Sequence, residues 1–362
     1  YHFFCCWLVF LLVRKLSNSF SAAVLASLLF ALHPVHTEAV SYISGRRDVL
    51  STLFFLLGFY WFLRYREEDR SSYLAGVFFA YILGVLTKEM AVTLPAVMFL
   101  YDWKREMDGP VPSAAAVGRF PRWVAAFLAV FRKSFWLYVP AMALGLFVVG
   151  YYLYITPSST NLEIYWGGSP YLTFLTTIKI LVKYLLLLLF PWTLIADYNS
   201  GQVFPLAQSI TEPGVLFSLA IVITLLVLSV RWFTKSSLYG FAGLFFFLTI
   251  LPVCHIIPHH ELMSEHFLYL PSFAFCLALA VLLDRYLSVV TLRKWAMAGV
   301  SVILLFYAVR TVVRNQDWKD EYTLWSATRR DAPSSIRAHT NLGLVYLQRR
   351  DYDRAIDSFR QS

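Results

Sequence analysis

The chain has 362 residues, of which 59% are hydrophobic, 18% aromatic and only 15% charged, with a net charge of +9. Soluble domains carry nearer 45–50% apolar and about 25% charged residues, so this composition excludes an ordinary water-soluble globule. The excess of Lys and Arg falls in short segments between apolar runs, where orientation in a membrane explains it better than nucleic acid does.

The apolar runs are about as long as a bilayer is thick in helix. In chain order they predict spans at 1–13, 19–34, 48–64, 73–87, 90–101, 134–155, 215–232, 238–253, 267–284 and 295–313. Tracts such as KYLLLLLF and GLFFFLTILPV are apolar on every face, unlike one-sided soluble helices. The expected fold is all-α: a polytopic membrane helical bundle. Segment 171–192 is apolar enough to span but would invert the loops after it. Lys179 and Lys183 mark a polar face on it, and a re-entrant or surface-lying helix is expected.

The loops alternate in charge. Arg14 and Lys15, then Arg64, Arg66 and Arg70, then Lys104, Arg105, Arg119, Arg122, Arg132 and Lys133, then Arg231 and Lys235, then Arg285, Arg293 and Lys294 belong to one, cytoplasmic, side. The opposite loops are 33–47, the corner at 88, 156–214 and 254–266, and by the same parity 314–362 is extracytoplasmic. The four cysteines show no metal spacing, and Cys5 and Cys6 lie inside an apolar run.

Chemistry concentrates on that second side. HPVHTEAVSYISGRRD, 33–48, holds His33, His36, Glu38, Arg46, Arg47 and Asp48 between two spans. Asp48 suits the start of the outgoing helix, where a carboxylate meets the positive end of the dipole. Arg46 and Arg47 are adjacent cations on the side where cations are disfavoured, and their planar forks match phosphate oxygens, of a substrate or of anionic lipid headgroups. TKEM places Lys88 and Glu89 at a helix break. Either they neutralise one another, or Lys88 is a second phosphate cation with Glu89 as an orienting acid. CHIIPHHELMSEHFLYLP, 254–271, crowds His255, His259, His260, Glu261, Glu265 and His266 into twelve residues. His and carboxylate also suit a divalent metal, but no HExxH occurs and Pro258 interrupts any i,i+4 pair. Acid–base work, headgroup binding and plain polar packing stay open. Trp192 and Tyr198 read as interface anchors, and Asp197 as a weak site candidate.

After 313 the sequence turns amphipathic. Leu342, Gly343, Tyr346, Ala355 and Phe359 fall on the tetratricopeptide spacing LGx2Y…Ax3F, with His339 where an aromatic is expected. The expected organisation is a membrane domain at 1–313, a linker or degenerate helical repeat at 314–335, and a first repeat of an α-solenoid at 336–362. The chain starts inside an apolar run and stops inside a repeat, and is expected to be a piece of a longer protein.

HPVHTEAV, GRRDVLS, LTKEMAVTLPAVMFLYDW, FPWTLIADY and HFLYLPSFAF, in this order and before tetratricopeptide spacing, resemble the TMTC family of transmembrane and tetratricopeptide-repeat proteins and their bacterial relatives. That family is similar to GT-C glycosyltransferases. The resemblance implies an enzyme that moves a sugar, mannose in eukaryotic members, from a polyprenyl- or dolichyl-phosphate donor to Ser or Thr of extracytoplasmic proteins. The membrane would be the endoplasmic reticulum in a eukaryote and the inner or plasma membrane in a bacterium. It further implies that Arg46, Arg47 and Lys88 hold the lipid phosphate, and that Glu38, Asp48, Glu89 and Glu265 are the catalytic acids. His33, His36, His259, His260 and His266 would line the acceptor or headgroup side, the repeats would present the acceptor, and membrane lipids would be the other partners. Two positions depart from the family pattern, Arg47 and His266. Such enzymes also place an acidic pair in the first extracytoplasmic loop, and no Asp or Glu precedes Glu38 here, so the base is expected upstream and these residues alone are expected to be inactive. A transporter with Lys88–Glu89 on its path, or a scaffold acting through its repeats, are the competing readings.

Overall fold

A computed structural model describes residues 1–109, 121–155, 165–199, 203–256 and 261–362. Helices make up its regular structure, and no strand occurs among the described residues. The first six are α1 (His2–Ser17), α2 (Phe20–Leu32), α3 (Thr37–Ser41), α4 (Arg46–Glu68), α5 (Ser71–Thr87) and α6 (Leu94–Asp108). Then come α7 (Arg122–Ile155), α8 (Pro170–Leu189), α9 (Pro213–Phe233), α10 (Leu238–Ile250), α11 (Ser272–Leu287) and α12 (Arg293–Asp317). Three shorter helices close the chain: α13 (Glu321–Asp331), α14 (Ile336–Gln348) and α15 (Tyr352–Arg360).

Local chemistry explains the breaks. Asn18 ends α1 in the left-handed region (φ 56°) and Ser19 caps α2 by accepting from the Ala22 amide. Pro34 cannot continue α2; a 3₁₀ turn, Pro34–His36, leads into α3, bent 50° from α2. α7 is two arms joined at Ser134, whose backbone is non-helical (φ −119°, ψ 18°), so the span expected at 134–155 is its second arm.

Among the described residues four helices are long and apolar enough to cross a bilayer: residues Arg122–Tyr151 of α7, and α8, α9 and α12. The bent pair of α2 with Pro34–Ser41 makes a fifth if it counts as one span. Their outer faces carry Trp136, Phe147, Phe217, Trp295 and Val302, all exposed. An apolar surface that wide is untenable in water, and lipid is what covers it. The chain is a multi-pass membrane protein.

Ten spans were expected from the apolar runs, and the difference has a physical cause. α1, α5 and α10, of 16, 17 and 13 residues, are shorter than a bilayer is thick. α4 has 23 residues but is charged at both ends. Packing there is close: a Cβ on Gly58 would lie 2.9 Å from the Leu94 side chain of α6 and 3.4 Å from Ala80 of α5. Small residues let helix backbones approach in this way.

The connections gather at two ends. At one, Lys15 pairs with Glu67, Ser21 donates to Asp284, and Ser236 donates to Asp108. At the other lie 33–47, the break at Lys88, 194–199, 261–268 and the C-terminal helices. α4 runs between them, about 35 Å at 1.5 Å per residue. α8 is no peripheral strap, since its buried face includes Thr176, Ile180, Tyr184 and Leu188. Leu172 and Leu175 near its start pack with Ala207 and with Val215 at the start of α9. The two helices therefore begin side by side. At the C-terminus Leu342, Tyr346 and Ala355 form one apolar cluster with Tyr322 and Trp325, and Gly343 faces the Phe359 ring.

Candidate active site

The break at Pro34 turns the chain back across the end of the bundle and brings its polar residues against 261–268. His33 and His36 are buried within the turn. The His33 Nε2 lies 3.0 Å from the Leu188 carbonyl; the His36 Nδ1 lies 2.7 Å from the Phe30 carbonyl, and its Nε2 2.8 Å from Ser272 Oγ. Both rings hold the turn in place, and neither faces solvent.

Glu38 makes the first link between loops distant in sequence. Its Oε2 accepts the His266 backbone N–H at 3.0 Å and its Oε1 lies 2.9 Å from His266 Nδ1. The other ring nitrogen is 3.5 Å from Glu261 Oε2. Burial disfavours the imidazolium, but the charge and hydrogen bond of Glu38, with Asp48 behind it, outweigh that and hold His266 above its ordinary pKa. Next, Gly45 folds onto α3 so closely that a Cβ would sit 2.9 Å from the Glu38 and Ala39 carbonyl oxygens. That turn sets the register of α4, whose first turn carries Arg46, Arg47 and Asp48.

Arg46 and Arg47 are exposed, and neither makes an ion pair or side-chain hydrogen bond among the described residues. Cations at a helix N-terminus are disfavoured by about 0.3–1 kcal/mol each, so helix stability does not account for them. Asp48 points inward. Lys88, at the break between α5 and the 3₁₀ turn Glu89–Thr93, donates to Asp48 Oδ1 at 2.6 Å; the side chains are 9% and 6% exposed. Lys88 Nζ also stands 5.0 Å from the Phe267 ring centroid. The partner of Lys88 is thus Asp48 rather than its neighbour Glu89. Glu89 is half-buried, close enough for its charge to act on Asp48, and has no ion-pair or hydrogen-bond partner among the described residues.

Glu265 faces the other way. Tyr198 donates to its Oε1 at 3.0 Å, and Arg314 Nη2 lies 3.6 Å from its Oε2, with both charged side chains 0% exposed. Burial pushes the Glu265 carboxyl up to about 7, against the pull of Arg314 and with a further push from Glu38. Arg314 also donates to Asp317 at 3.1 Å, while its Nε and Nη2 and Glu265 Oε2 have no hydrogen-bond partner among the described residues. His255 Nε2 is 2.9 Å from the Leu262 carbonyl. His259 and His260 lie outside the described residues. Among the described residues no group of three or more His, Cys, Asp or Glu is placed to hold a metal.

Seven of the twelve sequence-predicted residues therefore converge: Glu38, Asp48, Lys88, Glu89 and His266, with Arg46 and Arg47 at the rim. Glu265 backs them through its neighbour His266, and His33 and His36 brace the turn. Arg314 and Tyr198 were not anticipated as partners of Glu265. Arg314 stood at the head of an expected linker, yet α12 continues through it to Asp317. The one signal for it was ionisable spacing, Arg310, Arg314 and Asp317, at the end of an apolar helix.

Known proteins resemble this chain over part or nearly all of its length. The family model described as dolichyl-phosphate-mannose-protein mannosyltransferase matches residues 2–118, the segment that carries Glu38, Arg46, Arg47, Asp48, Lys88 and Glu89. Human protein O-mannosyl-transferase TMTC3 is 26% identical over 98% of this chain. The chain is similar to TMTC proteins over nearly all of its length. Human TMTC4 is 26% identical over 91% of the chain and covers 47% of its own length, and Xenopus laevis tmtc2 is 26% identical over 97%, with 50% of its own length. The chain spans 40% of the length of human TMTC3. No solved structure matches it.

Proposed function

We propose that this chain is the donor-binding part of a membrane glycosyltransferase that passes a sugar, mannose by analogy with the names of its relatives, from polyprenyl or dolichyl phosphate to Ser or Thr of extracytoplasmic proteins. One observation carries the reading. Two exposed arginines without a partner among the described residues stand at the rim of a buried acid–base cluster, at the end of the bundle away from the other basic loops.

Arg46 and Arg47 take the phosphate of the lipid donor, each by a fork that fits two oxygens. The acceptor hydroxyl attacks C1 of the sugar, the C1–O bond to phosphate breaks with its electron pair going to the phosphate, and the hydroxyl proton passes to a base. Charge that develops on the leaving phosphate is met by the arginines, fixed in place before the reaction begins. Lys88 is neutralised by Asp48 and acts as a support for that rim. Of the acids in this chain, Glu38, Asp48 and Glu265 are all engaged by partners. Among the described acids of this cluster Glu89 is the one left unengaged and partly accessible, and it orients the acceptor hydroxyl. The C-terminal helices carry the acceptor protein.

The test uses the protein in its native membrane, supplied with polyprenyl-phosphate mannose and extracytoplasmic acceptor proteins, with O-linked hexose measured by mass spectrometry. Arg46→Ala/Arg47→Ala is expected to abolish both hexose transfer and donor binding, and Glu89→Gln to abolish transfer while donor binding persists. Transfer unchanged in the double arginine variant overturns the assignment of the phosphate site.

A further inference from the structure

The chain from Leu194 to Asn199 is stitched on both sides. Toward the site, Tyr198 donates to Glu265 Oε1 at 3.0 Å and Asn199 Oδ1 accepts the Leu262 amide at 2.8 Å. Away from it, Asp197 Oδ2 accepts from Ser335 Oγ at 2.8 Å, with Asp197 2% and Ser335 0% exposed. Asp197 Oδ1 accepts the Asn199 amide at 3.3 Å and lies 3.9 Å from Arg337 Nη1. Ser335 is also the N-cap of α14, accepting from the Ala338 amide at 3.1 Å. One aspartate thus joins the head of a C-terminal helix to a strap that touches both ends of the 261–266 loop. Ala332, just before that cap, packs into the main apolar core.

We infer that Asp197 is a positioning residue: by gripping Ser335 at the head of α14 it fixes the 194–199 strap, and through it holds Tyr198 and Asn199 against the loop that carries Glu265 and His266. The C-terminal helices are therefore part of the site's scaffold as well as an appendage to it. A buried carboxylate with one strong hydroxyl donor and a half-exposed arginine at longer range is a poor contributor to stability by itself. Its geometry makes sense as register control, since loss of either partner frees the strap from one side only. The inference rests on the transferase reading only where a bound acceptor is concerned, and its test needs no transfer assay.

The experiment is hydrogen–deuterium exchange on the full chain in lipid nanodiscs, with Asp197→Ala, Asp197→Asn and Ser335→Ala. Asp197→Ala is expected to speed exchange at Asn199, Leu262 and His266 by roughly tenfold, the scale of one lost buried hydrogen bond. Asp197→Asn keeps an acceptor for Ser335 and is expected to restore most of that protection. Ser335→Ala removes the cap and is expected to loosen Ala338 in any case; spread of faster exchange to Leu262 is what the inference requires. A pH series adds a readout that general loosening would not move. In Asp197→Ala the pH at which the 262–266 amides open is expected to shift upward as Tyr198 leaves Glu265. Wild-type exchange at Leu262 and His266 in both Asp197→Ala and Ser335→Ala, with change confined to 336–339, overturns the inference. If Asp197→Ala fails to fold, Ser335→Ala decides by the same criterion.

Discussion

Lys88→Met is the change that bears most directly on the framework of the site. It removes a cation 2.6 Å from Asp48 in a place where the two side chains are 9% and 6% exposed. At that separation the attraction is about 6 kcal/mol with an effective dielectric near 20, and desolvation of both groups takes back most of it. The measurable quantity is the cost of leaving Asp48 buried without a partner, about 3–5 kcal/mol. The lost contact with the Phe267 ring, 5.0 Å from Nζ, adds roughly 0.5–2 kcal/mol. At roughly 2 °C per kcal/mol for a large chain, the two together lower the midpoint for thermal loss of the monodisperse peak in detergent by about 7–14 °C. The double variant Asp48→Asn/Lys88→Met removes the stranded charge and recovers most of the fall, less the ring contact. A Lys88→Met protein within about 1 °C of wild type, or a double variant no better than the single, refutes the buried-pair reasoning.

Other expectations follow from the same geometry. Arg314→Met strands Glu265 at 0% exposure and is expected to cost about 3–5 kcal/mol, with Glu265→Gln restoring most of it in the same thermal assay. Gly45→Ala forces a Cβ to within 2.9 Å of two backbone oxygens; a loss of about 1–3 kcal/mol and faster exchange across 38–48 are expected, since backbone cannot step aside as a side chain can. The 261–268 loop is expected to loosen as pH rises. His266 has a raised folded pKa, so its contribution is complete below its ordinary value of 6.5 and is lost as pH climbs through the higher folded value. Glu265 is likewise raised, from 4.5 to about 7, so its contribution is present below 4.5 and is lost between 4.5 and about 7. Protection at 262–266, corrected for intrinsic exchange, should therefore fall as pH rises; His266→Gln and Glu265→Gln should each remove part of that fall, and protection that does not change with pH in the wild type contradicts both.

How much of this was readable beforehand depends on the kind of signal. Apolar runs, Pro34 and the helix-start position of Asp48 are local features, and the sequence by itself determined an all-helical membrane protein whose polar residues gather in loops 33–48, 88–89 and 261–266. It also carried an order of motifs that resembles the TMTC family. Which charge meets which is a different matter, because partners lie far apart in the chain: Asp48 with Lys88, Glu38 with His266, and Glu265 with Arg314. Only the packing of α4 against α5, and of the bent α2–α3 segment beneath the loop before α11, brings them within reach. Helix length is likewise set partly by tertiary structure, since α5 and α10 stop at 17 and 13 residues. Composition is set residue by residue and announces the membrane. Pairing of buried charges is settled by the low dielectric of the folded interior, which tolerates a charge only beside its partner, and that condition exists only once the chain has folded.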